Sequence, residues 1–144
     1  MKPENEYIRR NIDEIMKRIA GAAARSGRKP EEIKLVAVSK TVDVERIKYA
    51  VDAGITDLGE NRVQELCSKY EKVERECSWH LIGHLQTNKV KYIADKVRMI
   101  HSVDRMELVR EIQKRAEKAG RCMDILIQVN VSGEETKYGM DKKQ

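Results

Sequence analysis

Apolar residues recur at two different spacings along the chain, and stretches of the two kinds alternate. Near residues 5–25 the spacing is that of a helix, with apolar side chains at Ile8, Ile12, Ile15, Met16 and Ile19. Short apolar runs follow that are rich in β-branched residues, and they predict buried strands at 33–39, 55–59, 78–83, 97–103 and 123–131. The amphipathic stretches between these runs predict helices, at about 43–54, 61–76, 87–94 and 104–120.

This order is one helix, four strand–helix units and a final strand, and it predicts an α/β fold with a parallel sheet and right-handed crossovers. Two architectures fit: an open doubly wound sheet, or part of a TIM-barrel-like (β/α)₈ barrel. No predicted strand is followed by GxGxxG, which disfavours the dinucleotide-binding version of the open sheet. No linker or repeat divides the chain, so residues 1–144 are expected to form a single domain.

Polar residues and glycines mark the predicted helix ends. Asp43 and Asp104 are predicted N-caps, and an N-cap is also the simplest interpretation of Asn61. Gly54 and Gly120 follow the ends of their helices. In the last helix, the side chains expected to point inward are Leu108, Ile112, Ala116 and Ala119.

Polar side chains also follow every predicted strand, where a parallel α/β fold places its functional face. They lie within 39–41, 59–62, 83–88 and 101–104 and at Asn130 and Ser132. Because the carboxyl ends of parallel strands share one edge of the sheet, we expect these groups to surround one site.

Lys40 is the most conspicuous of these residues, because it ends an apolar strand with a charge. Neighbouring side chains on a strand point to opposite faces, so Ser39 and Lys40 are not expected to form a nucleophile pair. An amine at the mouth of a partly apolar pocket is less readily protonated and suits Schiff-base formation with an aldehyde. The alternative is a lysine whose ammonium simply reaches solvent.

The histidines offer weaker signals. His80 and His84 are four residues apart, a spacing found in zinc-binding helices. Their segment is predicted as strand and loop, however, and it lacks the glutamate of that motif, so no metal is expected. His84 could contact a phosphate or a ring oxygen, or could be an ordinary loop histidine.

Composition narrows the class of protein. The net charge of +5 raises the prior for phosphate or nucleic-acid partners. The basic residues are interspersed with acidic ones, as on a solvated helix surface, so no nucleic-acid partner is expected. Three cysteines without CxxC spacing argue against a disulfide framework and against a zinc site. No run is long enough to span a bilayer and no signal-peptide pattern is present, so we expect no membrane partner and a cytoplasmic protein.

Five motifs in series resemble one known family. In order, they are "LVAVSKT", "DLGENRVQE", "WHLIGHLQTNK", "IHSVD" and "ILIQVNVSGEETKYGM". They closely resemble the pyridoxal phosphate homeostasis proteins, also called proline synthetase co-transcribed or YggS-type proteins. The likeness runs from about Ile33 to Met140.

The resemblance implies a fold like the N-terminal barrel domain of alanine racemase. It implies pyridoxal 5′-phosphate (PLP) held as a Schiff base on Lys40, with Asn61 and His84 lining the cofactor. Members of the family are viewed as carriers or regulators of the PLP supply, and no firm catalytic reaction is assigned to them.

The chain departs from the family at its carboxyl end. Family members continue through further barrel strands and a glycine-rich phosphate-binding segment, whereas this chain ends at Gln144, after the fifth predicted strand. We therefore expect the N-terminal part of a PLP-binding barrel, with weak cofactor binding and self-association through the open sheet edges. The alternatives are a PLP-dependent amino-acid racemase and, on net charge alone, a basic nucleic-acid-binding module.

Overall fold

The computed structural model describes residues 3–143 and contains four helices, five strands and two short 3₁₀ helices in that range. The order confirms the predicted alternation, with a 3₁₀ helix at Thr87–Tyr92 between the third and fourth strands and another at Pro30–Glu32. The helices and strands are α1 (Pro3–Arg25), β1 (Ala37–Val38), α2 (Val44–Asp52), β2 (Asp57–Glu60), α3 (Val63–Val73), β3 (Ser78–Leu81), β4 (Val97–Val103), α4 (Met106–Lys118) and β5 (Asp124–Ile127).

All five strands are parallel and form one sheet in the order β1-β2-β3-β4-β5. Each new strand is therefore added on the same side of the one before it. A doubly wound sheet reverses its direction of growth at a switch point, whereas a (β/α)₈ barrel does not. The strand order decides between the two predicted architectures in favour of the barrel type.

The outer strands are shorter than the sequence predicts. Regular pairing in β1 covers only Ala37 and Val38, opposite Leu58 and Gly59, although the apolar run extends over 33–39. β5 likewise covers four residues of the predicted 123–131. Within residues 3–143, β1 and β5 each pair along one side only, so fewer hydrogen bonds hold their ends in regular geometry.

The hydrophobic core lies between the sheet and the helices that follow the strands. Alternate strand residues face this layer and are almost fully buried, as at Leu58, Leu81 and Ile100. Leu66 of α3 and Leu108 of α4 fill it from the other side. Burying such side chains stabilises the fold by about 1.5–3 kcal/mol each, and this layer fixes which strand residues face the helices.

The predicted inward face of α4 is confirmed at Leu108, Ile112 and Ala116, which are buried. The prediction for Ala119 is wrong, because α4 ends at Lys118 and Ala119 is an exposed C-cap. Gly120 follows with φ +66°, which suits a glycine just past a helix.

Of the three predicted N-caps, only Asp43 is confirmed, since its carboxylate accepts a 3.0 Å hydrogen bond from Arg46 N. The predictions for Asn61 and Asp104 are wrong by one residue. The N-caps of α3 and α4 are Arg62 and Arg105, and neither side chain makes a capping hydrogen bond. Both misplaced residues lie in the loops that follow strands, where they make other contacts.

The first helix, α1, is the longest and packs against α2. Several of its apolar side chains are exposed, among them Tyr7, Ile15 and Met16. Within residues 3–143, no helix is both long enough and apolar enough to cross a membrane.

Candidate functional site

Ser39 and Lys40, at the end of β1, lie in opposite environments. Ser39 is 4% exposed, and its hydroxyl donates a 2.6 Å hydrogen bond to Glu60 Oε1 on β2. Lys40 is exposed, and within residues 3–143 its amine makes no hydrogen bond or ion pair. The two side chains therefore do not form a nucleophile pair, as the strand alternation predicts.

A buried charged cluster lies between β1, β2 and α3; we call it the anchor network, and it consists of Ser39, Glu60, Glu65 and Lys69. Lys69 Nζ is at its centre and donates to three oxygens: Ser39 O at 2.7 Å, Glu60 Oε1 at 2.8 Å and Glu65 Oε1 at 2.7 Å. Glu60 is fully buried and Lys69 is 7% exposed. Charges this deep are tolerated only when paired, so the network holds the end of β1 firmly against α3.

The electrostatics of the network agree with its geometry. Burial alone would lower the pKa of Lys69, but the hydrogen bonds to Glu60 and Glu65 raise it above its usual value. The pKa of Glu65 is lowered, first by the hydrogen bond from Lys69 and then by that from the backbone of Thr41. Both shifts favour the ion-paired state over the neutral one.

The residue after Lys40 belongs to the same arrangement. Thr41 N donates a 2.6 Å hydrogen bond to Glu65 Oε1, and Thr41 has a φ of +62°. A β-branched residue rarely adopts this left-handed conformation. The chain therefore turns sharply after Lys40, and a side chain of α3 holds the turn.

Asn61 and His84 come together, as the strand-end positions predict. The loops after β2 and β3 meet where a Cβ on Gly83 would lie 2.3 Å from Asn61 O, so a glycine is needed for this approach. Asn61 and His84 line one cavity of about 260 Å³ with Arg62 and Lys89. Lys40 does not line this cavity.

The ring of His84 is covered by a residue from the far end of the chain. Tyr138 stacks on it with a 4.0 Å centroid distance and a 16° interplanar angle. Asp104 Oδ2 lies 3.7 Å from His84 Nδ1, while Asp104 Oδ1 pairs with Arg105 at 2.6 Å. Asp104, predicted as a helix cap, thus lies beside the His84 ring and pairs with Arg105.

A second polar group runs across three strands; we call Asp57, His80 and His101 the histidine relay. His80 Nε2 lies 2.7 Å from Asp57 Oδ1, and His80 Nδ1 lies 2.9 Å from His101 Nε2. An ionised carboxylate can only accept, so His80 Nε2 donates to Asp57. When His80 is neutral, its Nδ1 accepts from His101 Nε2. His80 thus has partners at both ring nitrogens, while His84 lies on Tyr138, so the two histidines four residues apart do not form a shared site.

The shifts in the relay follow from its surroundings. Burial by itself would raise the pKa of Asp57, but hydrogen bonds from Thr56, His80 and Lys34 together lower it. The pKa of His101 is lowered by its own burial and by the neighbouring His80. The relay therefore favours an ionised Asp57 at one end and a neutral His101 at the other.

The anchor network and the stacking of Tyr138 on His84 were not predicted from the sequence. Glu65 and Lys69 are four residues apart on a helix, a spacing that signals an ion pair. That signal is common on exposed helix faces and does not show that this pair is buried. Nothing local connects Lys69 to Ser39 or Tyr138 to His84, because each pair is far apart in sequence.

Comparison with protein families gives a match to the alanine racemase N-terminal domain over residues 6–144. The pyridoxal phosphate homeostasis protein of Aquifex aeolicus is 49% identical over 131 residues, which cover 90% of this chain and 58% of the relative. That of Escherichia coli K12 is 36% identical over 137 residues, covering 92% and 58%. The chain thus spans about three fifths of the length of these curated relatives.

Solved structures show the same likeness. An unknown protein from Bifidobacterium adolescentis superimposes with a TM-score of 0.87 at 35% identity, covering 98% of this chain and 62% of that one. PipY of Synechococcus elongatus PCC7942, solved with PLP bound, has a TM-score of 0.71 at 33% identity, covering 85% and 58%.

Proposed function

We propose that this chain, which belongs to the alanine racemase N-terminal domain family, binds PLP through Lys40 and takes part in controlling the supply of that cofactor. The observation that carries the proposal is the free amine of Lys40 at the carboxyl end of a barrel-type strand. The similarity to pyridoxal phosphate homeostasis proteins and to PipY with PLP bound supports it.

The residues at this end of the sheet fit such a group. The amine of Lys40 is accessible and is not engaged in an ion pair within residues 3–143, as covalent attachment to an aldehyde requires. Lys40 would hold the group by condensation of its amine with the aldehyde, with loss of one water. When bound, PLP supplies an aldehyde for this linkage and a conjugated ring that withdraws electrons.

Asn61 and His84 are the neighbours proposed to hold the cofactor. The amide of Asn61 offers both donors and an acceptor, and the ring of His84 is stacked on Tyr138. They share their cavity with Arg62 and Lys89, two cations suited to an anionic group. Lys40 does not line that cavity. In this proposal its flexible side chain reaches the group from the end of β1, the neighbour of β2 in the sheet, and Asn61 and His84 orient what is bound.

The test is borohydride trapping of PLP, followed by intact mass measurement and peptide mapping. Reduction converts the linkage to a stable secondary amine, so the modified lysine can be identified. We expect modification at Lys40 in the unsubstituted chain and its loss in Lys40→Ala. The control is Lys72→Ala, which removes an exposed lysine of α3 and should behave like the unsubstituted chain. Equal trapping in Lys40→Ala would refute the attachment point.

We also infer a cytoplasmic location and self-association through the outer strands. The second inference is supported by exposed apolar side chains at both edges of the sheet, since Val38 is 51% exposed on β1 and Ile127 is 50% exposed on β5. Unpaired strand edges with apolar side chains favour pairing with another chain.

A further inference from the structure

The peptide groups on both sides of Lys40 are held by one helix. Lys69 donates to the carbonyl oxygen of Ser39, and Glu65 accepts from the backbone N–H of Thr41, at 2.7 Å and 2.6 Å. Lys69 and Glu65 are also bonded to each other at 2.7 Å. Helix α3 therefore holds the backbone through one hydrogen bond immediately before Lys40 and one immediately after it. We call these two hydrogen bonds the grip.

The backbone conformation of Thr41, at the grip, is unfavourable in free energy, so the surrounding structure must maintain it. Thr41 has a positive φ, and its hydroxyl donates a 2.6 Å hydrogen bond back to Lys40 O. A non-glycine residue persists in this region only where the neighbouring structure enforces it. Glu65 is the side chain that holds the Thr41 N–H.

The grip has a direct consequence for the amine. Ser39 is fixed by its hydroxyl to Glu60 and by its carbonyl to Lys69, both within the layer between sheet and helix. Lys40 lies in the turn that follows β1, so these hydrogen bonds, and not strand pairing, set the direction of its backbone. The exposure of Lys40 beside buried Ser39 agrees with this.

We propose that Glu65 and Lys69 are positioning residues for the Lys40 amine, an inference that rests on the proposed function of Lys40 as the attachment point. They do not touch the bound group but fix the backbone from which the amine extends. A shift of about 1 Å in a reacting group can reduce a rate by up to about a hundredfold. Loosening the grip should therefore slow attachment at Lys40 without removing the lysine.

Glu65→Ala is the variant that tests this inference. The Glu65 side chain is 26% exposed, and its removal leaves the buried pair of Glu60 and Lys69 in place, so the chain is expected to fold. Glu111→Ala is the matched control, because Glu111 forms the same i,i+4 ion pair on α4 with Arg115, at 2.6 Å and with 20% exposure. Glu65→Gln retains an oxygen that can accept from Thr41 N and tests for rescue.

We expect the rate of borohydride-trapped PLP attachment at Lys40 to fall about tenfold in Glu65→Ala, to stay unchanged in Glu111→Ala and to recover in part in Glu65→Gln. Amide hydrogen exchange at Thr41, followed by NMR, should become faster in Glu65→Ala alone. Melting temperatures of the two alanine variants should be similar, which separates positioning from general destabilisation.

The two inferences fail in different ways. Absence of trapping at Lys40 in the unsubstituted chain would overturn the proposed function. Trapping in Glu65→Ala at the unsubstituted rate would overturn the positioning inference and leave the proposed function intact. Unchanged exchange at Thr41 in Glu65→Ala would also overturn the positioning inference, whether or not PLP is attached.

Discussion

At the scale of single residues, Lys69 links the fold to the candidate site. It lies in the layer where apolar side chains would normally pack, yet it carries a charge and satisfies three oxygens there. Glu60 depends on it, because Glu60 is fully buried and its second oxygen, Oε2, has no hydrogen-bond partner within the described residues. A buried ion pair is weak evidence of added stability, but removing only one partner strongly lowers the free energy of unfolding.

Lys69→Met is expected to lower the free energy of unfolding by about 3–5 kcal/mol, because it leaves the Glu60 carboxylate buried and unpaired. The double variant Glu60→Gln/Lys69→Met should lose at least about 1 kcal/mol less free energy of unfolding than Lys69→Met. The reason is that Glu60→Gln removes the unpaired buried carboxylate. Urea unfolding of the two single variants and the double variant measures the coupling. Additive losses would contradict the dependence of Glu60 on Lys69.

Gly83→Ala is expected to destabilise the chain by about 1–3 kcal/mol, because the new Cβ would overlap the backbone oxygen of Asn61. Gly21→Ala is its control: within α1 the new methyl would approach only the end of the Arg25 side chain, at 3.4 Å. That substitution should stabilise α1 by about 0.5–1 kcal/mol. Thermal unfolding of both variants checks the opposite signs, and a neutral Gly83→Ala would refute the close approach.

At the scale of the elements, the sheet carries two polar arrangements with different relations to the helices. The anchor network joins β1 and β2 to α3, whereas the histidine relay joins β2, β3 and β4 to one another. Each depends on the register between parallel strands, in which Asp57 pairs with Ser78 and Gly59 with His80. A one-residue slip would turn the side chains of a strand to the opposite face and separate both groups.

The histidine relay predicts a loss of stability on mild acidification. Because the pKa of His101 is lowered in the fold, the unfolded chain binds a proton first as the pH falls below about 6.5. The contribution of His101 to stability should therefore be constant above about pH 7 and decline between there and the lowered pKa of His101. The lowered pKa of Asp57 adds a further loss of stability below about pH 4, because there too the unfolded chain binds the proton first.

His101→Gln checks the first part of this profile. Glutamine keeps an N–H donor for His80 but does not titrate, so the decline just below pH 7 should become smaller. Urea unfolding at a series of pH values measures it. An identical profile in the variant would show that His101 does not cause the decline.

At the scale of the whole molecule, the sheet grows in one direction from β1 to β5, and its two outer strands present unpaired edges within residues 3–143. Helices cover the face on which the core lies, and apolar side chains at the edges are half exposed, among them Val38, Leu126 and Ile127. This distribution supports the inferred self-association.

Leu126→Lys, a charge placed on exposed β5, is expected to weaken self-association, because edge lysines oppose strand pairing. Tyr7→Lys, at an exposed apolar residue of α1 away from the sheet edges, is the control. Light scattering over a range of concentrations measures the effect. A stable monomer with a cooperative thermal transition in the unsubstituted chain would contradict the inference.

The sequence by itself determined the order of elements and the end of the sheet at which to search. Periodicity is local: a helix with apolar residues every three or four positions, such as α4, buries that face whatever its partner is. The same reasoning located Lys40, Asn61 and His84 beyond the strands, and predicted the opposite directions of Ser39 and Lys40.

Only the tertiary structure decided the direction in which the sheet grows, the true helix caps and the partners of the buried charges. Asn61 looks like an N-cap in isolation, but its approach to Gly83 depends on a loop more than twenty residues away. Lys69 meets Ser39, and His80 meets His101, only after strands pair in a particular register. The physical reason is that these contacts join residues distant in the chain, so no local pattern specifies them.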